Sequence, residues 1–346
     1  MISSSDVLNA CAEGSWLNDL GIGEFALDYS KGFFGLPSMK KGASWLVVQA
    51  ISDEGEKFAI RIPHNKVAYN PSALNRLQRL ESVIEKTGIQ WFTKFKLIGD
   101  ALKVGDEVLP VMVMPWEEGK SLPKFLAENS KNPDKLQALS ENLRKIGNSM
   151  VETGFDHGDF SGGNILVKPN GNVVLIDPDS LLHHSCTVKK TVELGHPSLS
   201  HPGRNSRDIG PGLFVFSLEL ILLITEAIIN DSNQIEDNPD PEAFFFDERD
   251  LISPGKSNKF NSIKTIVCED RFDKIVSALK CKDMIEVAKI FYPKIGNKLE
   301  PRVFFDIEEI VSTKPITLHN RINGKSRTMK RKMRVLSLAE EMKRGD

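Results

Sequence analysis

The stretch His157-Gly-Asp-Phe-Ser-Gly-Gly-Asn-Ile-Leu-Val-Lys-Pro-Asn-Gly-Asn-Val-Val-Leu-Ile-Asp177-Pro-Asp decides how this chain is read. Asn164 lies five positions after Asp159, and Asp177 thirteen after Asn164. Between the last two, Ile165–Val167 and Val173–Ile176 read as short β-strands, with Pro169-Asn170-Gly171 as the turn joining them. A hairpin of that length returns its two open ends to one place. The Asn164 amide and the Asp177 carboxylate can then face a common point, with Asp159 in the loop just before. An amide and a carboxylate suit a hard divalent cation such as Mg2+. A second carboxylate nearby, able to take a hydroxyl proton, completes the set that ATP-dependent phosphoryl transfer needs.

Towards the N-terminus, residues 1–20 read as a leading helix, and the pattern from Gly21 to about Ile62 is β-rich. Ser44–Ile51 and Phe58–Ile62 read as strands around the turn Asp53-Glu54-Gly55. Pro71 opens a helix with Leu74, Leu77, Leu80 or Glu81, and Ile84 at helical spacing. Phe95–Leu97 and Val108–Met114 return to strand character, giving the order β-β-β-α-β-β. Beyond Pro115-Trp116-Glu117-Glu118-Gly119 the composition turns helical. Leu122–Asn129 is one helix. Asp134–Val151 is another, with Asp134 as its cap, an apolar stripe from Leu136 to Met150, and Gly154 as its end.

The segment Leu213–Ile229 is apolar enough to suggest a membrane span, but it is about one turn short and carries Glu219 and Glu226. It reads as a buried core helix, and no membrane partner is expected. The N-terminus, with Asp6, Glu13 and Asp19, does not read as a signal peptide.

Composition is ordinary for a globular protein: 346 residues, 40% hydrophobic and 27% charged, with net charge −2. The charge is unevenly placed, since Ser312–Asp346 holds ten Lys or Arg against three acids. This basic tail fits an acidic partner; without interleaved aromatics, nucleic acid is not expected. Cys11, Cys186, Cys268 and Cys281 form no Cys-x-x-Cys pair, which argues against a zinc site or a disulfide framework and for a reducing cytoplasm.

His157-Gly-Asp159-x-x-x-x-Asn164 followed by Ile176-Asp177 resembles the catalytic and metal-binding loops of the protein-kinase-like superfamily. Further fragments, from about Trp45 to about Ser257, are similar to a bacterial family of kinase-like proteins. These are Ala59-Ile60-Arg61, Met114-Pro-Trp116-Glu-Glu-Gly119, Glu193-Leu-Gly-His196 and His201-Pro-Gly-Arg204. The resemblance implies an α+β, bilobal protein-kinase-like fold with a small β-rich N-lobe and a larger, mainly helical C-lobe. The boundaries expected are a leading extension over 1–20, an N-lobe over 21–116, a C-lobe over 117–314 and a basic tail over 315–346.

On that resemblance Asp159 is the catalytic base, Asn164 and Asp177 hold Mg2+, and Asp179 joins them at the metal. Arg61 meets the α- and β-phosphates of ATP, with Glu81 as its partner and Glu85 one turn on as the alternative. Lys41 and Gly42, with Lys40, belong to the phosphate-covering loop, and Gly32-Phe-Phe-Gly35 is a rival for that loop. Met114 and Trp116 are the hinge positions beside the nucleotide.

Asp177-Pro178-Asp179-Ser180 departs from the Asp-Tyr-Asp-Gly usual in that family. Phe214 stands where a scaffolding Asp is usual, with Asp208 six residues earlier. Gly158, in place of an Arg, leaves loop phosphorylation without an obvious partner. The Glu193, His196 and His201 group invites a zinc reading, but structural hydrogen bonding is the expectation.

The function implied is an ATP- and Mg-dependent phosphotransferase acting on Ser or Thr of a protein substrate. The alternatives are a small-molecule kinase of the aminoglycoside or choline type, or a nucleotide-binding pseudokinase acting as an interaction module.

Overall fold

A computed structural model describes residues 4–20, 24–29, 37–42, 44–65, 68–186, 194–208, 212–235 and 245–293. The chain is α+β, an antiparallel sheet region followed by a helical region. It divides into two units. The first holds the described residues up to Leu74 together with Phe95–Trp116, and the second Asn75–Lys94 and the described residues from Glu117 onward. The Gly32–Gly35 cluster, Glu193 and the basic tail lie outside the described residues.

In the first unit, Ser4–Ala12 is α1 and Ser15–Leu20 a 3-10 turn. The strands are β1 (Phe25–Leu27), β2 (Met39–Lys41), β3 (Trp45–Ser52) and β4 (Lys57–Pro63), then, after α2 (Pro71–Thr87), β5 (Lys96–Val104) and β6 (Glu107–Pro115). Four described strands therefore precede α2, where three were expected. The sheet order is β1-β3-β4-β6-β5, with β2 also on β3, and every pair is antiparallel.

Alternation along the strands gives the sheet two faces. Leu46, Val48, Ala50, Ile60, Ile62, Val111 and Val113 share one apolar cluster with Val7, Cys11, Trp16, Leu17 and Leu20. The leading segment is thus part of the core. Val7, Cys11 and Leu17 are fully buried, and each buried aliphatic side chain of this kind contributes about 1.5–3 kcal/mol.

α2 starts where Asn70 accepts the Ala73 N–H on its Oδ1 at 3.0 Å and Pro71 presets the first helical φ. Its buried stripe is Leu77, Leu80 and Ile84, at the spacing expected.

The second unit continues with β7 (Lys120–Ser121), α3 (Leu122–Asn129), α4 (Pro133–Thr153), β8 (Phe155–His157), β9 (Ile165–Val167), β10 (Val173–Leu175) and β11 (Leu181–His183). The α4 cap is Asn132, not Asp134: its side chain accepts from the Lys135 N–H while Pro133 occupies the first helical position. Pro favours that position, so the cap lies two residues before the expected Asp134, which is left to complement the helix dipole from the first turn. Gly154 closes α4 at φ 77, returning its N–H to the Met150 carbonyl.

The long apolar segment is α5 (Leu213–Asn230), and 83% of its length is buried within the protein. It is the one described helix long and apolar enough to span a bilayer. α4, α8 (Glu269–Ala278) and α9 (Met284–Phe291) pack around it, while α6 (Glu248–Ile252) and α7 (Asn258–Ile263) complete the helical set. Gly147 of α4 lets α5 approach: a Cβ there would lie 2.4 Å from Leu218 Cδ2 and 3.0 Å from the Tyr292 hydroxyl. Glu219 sits in this core with its carboxyl raised by burial, against the pull of Arg144, Arg271 and Lys274.

Candidate functional site

The β9–β10 hairpin carries the two metal-type residues as its spacing requires. Val173 pairs with Val167 and Leu175 with Ile165. The ladder gains one more rung where the Ile176 N–H donates to the Asn164 carbonyl at 3.0 Å. β10 stops at Leu175, one residue short of the expected Ile176, because that last rung meets a 3-10 turn, Gly162–Asn164, and not a strand. A Cβ at Gly162 would lie 2.8 Å from Pro123 Cγ, so α3 packs directly over the turn.

Asn164 is tied to Asp159 twice. Its Nδ2 donates to the Asp159 carbonyl at 3.0 Å and to Asp159 Oδ2 at 2.8 Å. With both amide hydrogens committed, Asn164 Oδ1 is directed away from Asp159 and is the atom able to meet a cation. The other Asp159 oxygen, Oδ1, accepts the His196 N–H at 3.1 Å. A carboxylate has about four lone-pair sites, so roughly two remain for an incoming hydroxyl.

Asp177 is the one non-glycine with positive φ among the described residues, at 77°. Left-handed backbone outside glycine costs on the order of 1 kcal/mol and persists only where its surroundings enforce it. Here they do. Ser180 Oγ donates to Asp177 Oδ2 at 2.8 Å, the Ser180 N–H returns to the Asp177 carbonyl at 3.2 Å, and β11 then pairs with β8. That pairing sets Leu181 opposite His157, and the Gly158 N–H donates to the Ser180 carbonyl at 2.6 Å.

The Asp159 loop and the Asp177 turn are therefore two arms of one bonded frame, with His157 inside it. His157 Nε2 bonds the Ile176 carbonyl at 3.1 Å. Burial holds the imidazole below its ordinary pKa, although Asp177 and Asp159 both pull the other way. A neutral imidazole whose Nε2–H is used on backbone is a pin and not a base.

Asp179 lies in the same turn, and its carbonyl accepts from Arg76 Nη2 at 2.9 Å. The segment after the turn returns to the loop through Arg204, whose Nη1 donates to the Gly158 carbonyl. Gly195, at φ 78, allows this: a Cβ would fall 2.3 Å from Ser200 Oγ and 3.4 Å from the Gly158 carbonyl oxygen. The histidines serve structure. His201 Nε2 bonds the Ala278 carbonyl at 3.0 Å and its Nδ1 accepts the Gly203 N–H, while His196 Nδ1 pairs with Ser198 Oγ. Among the described residues no three His, Cys, Asp or Glu side chains are grouped to hold a metal ion. Any cation at the loop would rest on Asn164 and Asp177, with Asp179 two residues on, and the bound ligand would supply further oxygens.

The remaining expected residues fall in the first unit, except Glu81 and Glu85, which lie on α2 within the second. Strand register places Ala59 beside Met114, and Arg61 beside both Val47 and Met112, on the sheet face opposite the α1 cluster. The Arg61 guanidinium lies over the Trp45 ring, 5.3 Å from its centroid. Lys41 pairs with Leu46 and so lies on the other face, with the α1 cluster; it is Lys40, paired with Val47, that shares the face of Arg61. Gly42 closes the β2–β3 turn, its N–H donating to the Trp45 carbonyl at 2.8 Å. Trp116 follows β6, 38% exposed, with its N–H on the Lys57 carbonyl.

No protein-family model matches this chain, and none of the curated proteins matches it.

Sequence reasoning passed over Asp156. It is 3% exposed, and its carboxylate accepts the N–H groups of His157 at 2.8 Å, Leu213 at 2.9 Å and Phe214 at 3.0 Å. Asp208 does not fill the scaffolding place left by Phe214, because its carboxylate closes a local turn on Asn205. The loop strand supplies the carboxylate and the helix supplies the N–H groups. The signal was an acid directly after Phe155 and before His157 in a strand too apolar to leave it unbonded.

Proposed function

We propose that this protein is an ATP- and Mg2+-dependent phosphotransferase of protein-kinase-like fold, with the sheet unit as its small lobe and the helical unit as its large one. The observation that carries the proposal is the double bond set from Asn164 Nδ2 to Asp159, with the left-handed Asp177 closing the same frame. Asp159 orients a Ser or Thr hydroxyl of a protein substrate and takes its proton as the oxygen attacks the γ-phosphorus, whose bond to the β–γ bridging oxygen breaks so that ADP leaves. Asn164 Oδ1 and the Asp177 carboxylate would hold Mg2+, which neutralises charge on the phosphate oxygens. The chain's own part is positioning: the Gly158 N–H and carbonyl, the Asp159 carbonyl and carboxylate and the Asn164 backbone are each bonded within the chain, which is how preorganised sites lower a barrier.

γ-Labelled ATP given to the purified full chain with Mg2+, first alone and then with lysate, tests this. Label on polypeptide is expected, and chelating Mg2+ abolishes it. Label on a metabolite assigns a small-molecule acceptor instead, and ATP binding without any transfer is the pseudokinase outcome.

A further inference from the structure

α5 begins without a cap of its own. Its N-cap residue is Gly212, at φ 100, with no side-chain bond to the first turn. A Cβ at 212 would lie 2.6 Å from the Ala288 Cβ of α9, so packing bars Ser, Thr, Asp or Asn from the usual capping position. The first N–H groups of the most buried helix in the unit would then be orphaned. Asp156 supplies the acceptors from β8, more than fifty residues away in sequence: Oδ2 takes Leu213, and Oδ1 takes Phe214 and also the N–H of His157. One carboxylate thus joins the core helix to the backbone that enters the Asp159 loop. Arg204, the charged group acting on Asp156, donates to the next peptide, at the Gly158 carbonyl. Phe214 adds a second contact, its ring lying 5.9 Å from that of Phe160 in the loop.

We infer that Asp156 is a positioning residue, through which α5 sets the backbone of His157 and Gly158 and so the direction in which Asp159 presents its carboxylate. The effect on rate rests on the phosphotransfer reading; the coupling of helix to loop does not.

The test is Asp156→Asn in the full chain, read by amide hydrogen exchange and by kinetics. An Asn offers an acceptor on one side only and sets an N–H2 against a backbone N–H on the other. Exchange is expected to rise together at Leu213, Phe214 and across His157–Asn164, with kcat falling about 10–100-fold at unchanged KM for ATP, as for outer residues that orient a catalytic group. Gly147→Ala is the comparator: it strains the α4–α5 contact at Leu218 without touching the loop, and should lower Tm with kcat retained. Faster exchange confined to Leu213 and Phe214 with kcat unchanged overturns the inference. So does an equal loss of kcat in Gly147→Ala at a matched fall in Tm. Should Asp156→Asn not fold, Asp156→Ser, with a shorter acceptor, is read in the same way. If the wild-type chain transfers no phosphate, the phosphotransfer reading fails by itself, and the exchange arm still decides the coupling.

Discussion

Asp159→Asn is expected to lower phosphotransfer about 10²–10⁴-fold, the range that general-base catalysis supplies, while leaving ATP binding unchanged. The two oxygens of Asp159 face two donors, the His196 N–H and Asn164 Nδ2. Asn can satisfy only one of them, so the variant loses a charge-assisted bond and costs about 1.5–3 kcal/mol of stability at most. That is too little to unfold a domain of ordinary stability. Rate and stability therefore separate: single-turnover transfer falls by orders of magnitude while thermal unfolding moves by a few degrees. Full transfer by purified Asp159→Asn protein removes Asp159 from the role of base.

Asp177→Asn is the second large effect, and the choice of residue matters. Asp177 sits at φ 77, where Ala would add about 1–2 kcal/mol of backbone strain, whereas Asn enters left-handed conformation readily. An Asn side chain also keeps an oxygen for Ser180 Oγ. The substitution removes one negative charge from the proposed cation site with little change to the turn. Metal stabilisation of a developing phosphoryl charge is worth several kcal/mol, and each 1.36 kcal/mol is tenfold in rate, so kcat should fall on the order of 10²–10³-fold. The Mg2+ dependence of ATP-induced thermal stabilisation should vanish with it. An Asp177→Asn protein that retained the wild-type Mg2+ response would place the cation elsewhere.

What the sequence made legible was local. The hairpin from Ile165 to Leu175, the Pro71 helix, the Gly154 stop and the buried character of Leu213–Asn230 all follow from period, turn chemistry or length. Asp159 was legible as a loop residue just before the hairpin, but not its two bonds from Asn164 Nδ2. What stayed hidden depends on partners distant in the chain. The joining of Asp156 to Leu213 spans 57 residues, and nothing near residue 156 announces which helix needs a cap. Lys40 and Lys41 differ only by strand parity, which is fixed by the pairing with β3, so sequence named both and could not tell which shares the face of Arg61. The attachment of residues 4–20 was likewise invisible until their apolar side chains had a sheet face to cover. Asp177, a non-glycine, carries no sequence mark of its left-handed turn.

The central claim is that Asn164 and Asp177 share one divalent cation beside Asp159. Crystals of the full chain grown with Mn2+ and a non-hydrolysable ATP analogue test it through the anomalous difference map. A peak is expected at about 2.1–2.2 Å from Asn164 Oδ1 and from an Asp177 carboxylate oxygen, near the distance of Mg2+ to its oxygen ligands. A bound analogue with its metal on other residues, or Asn164 and Asp177 left uncoordinated beside it, would contradict the account.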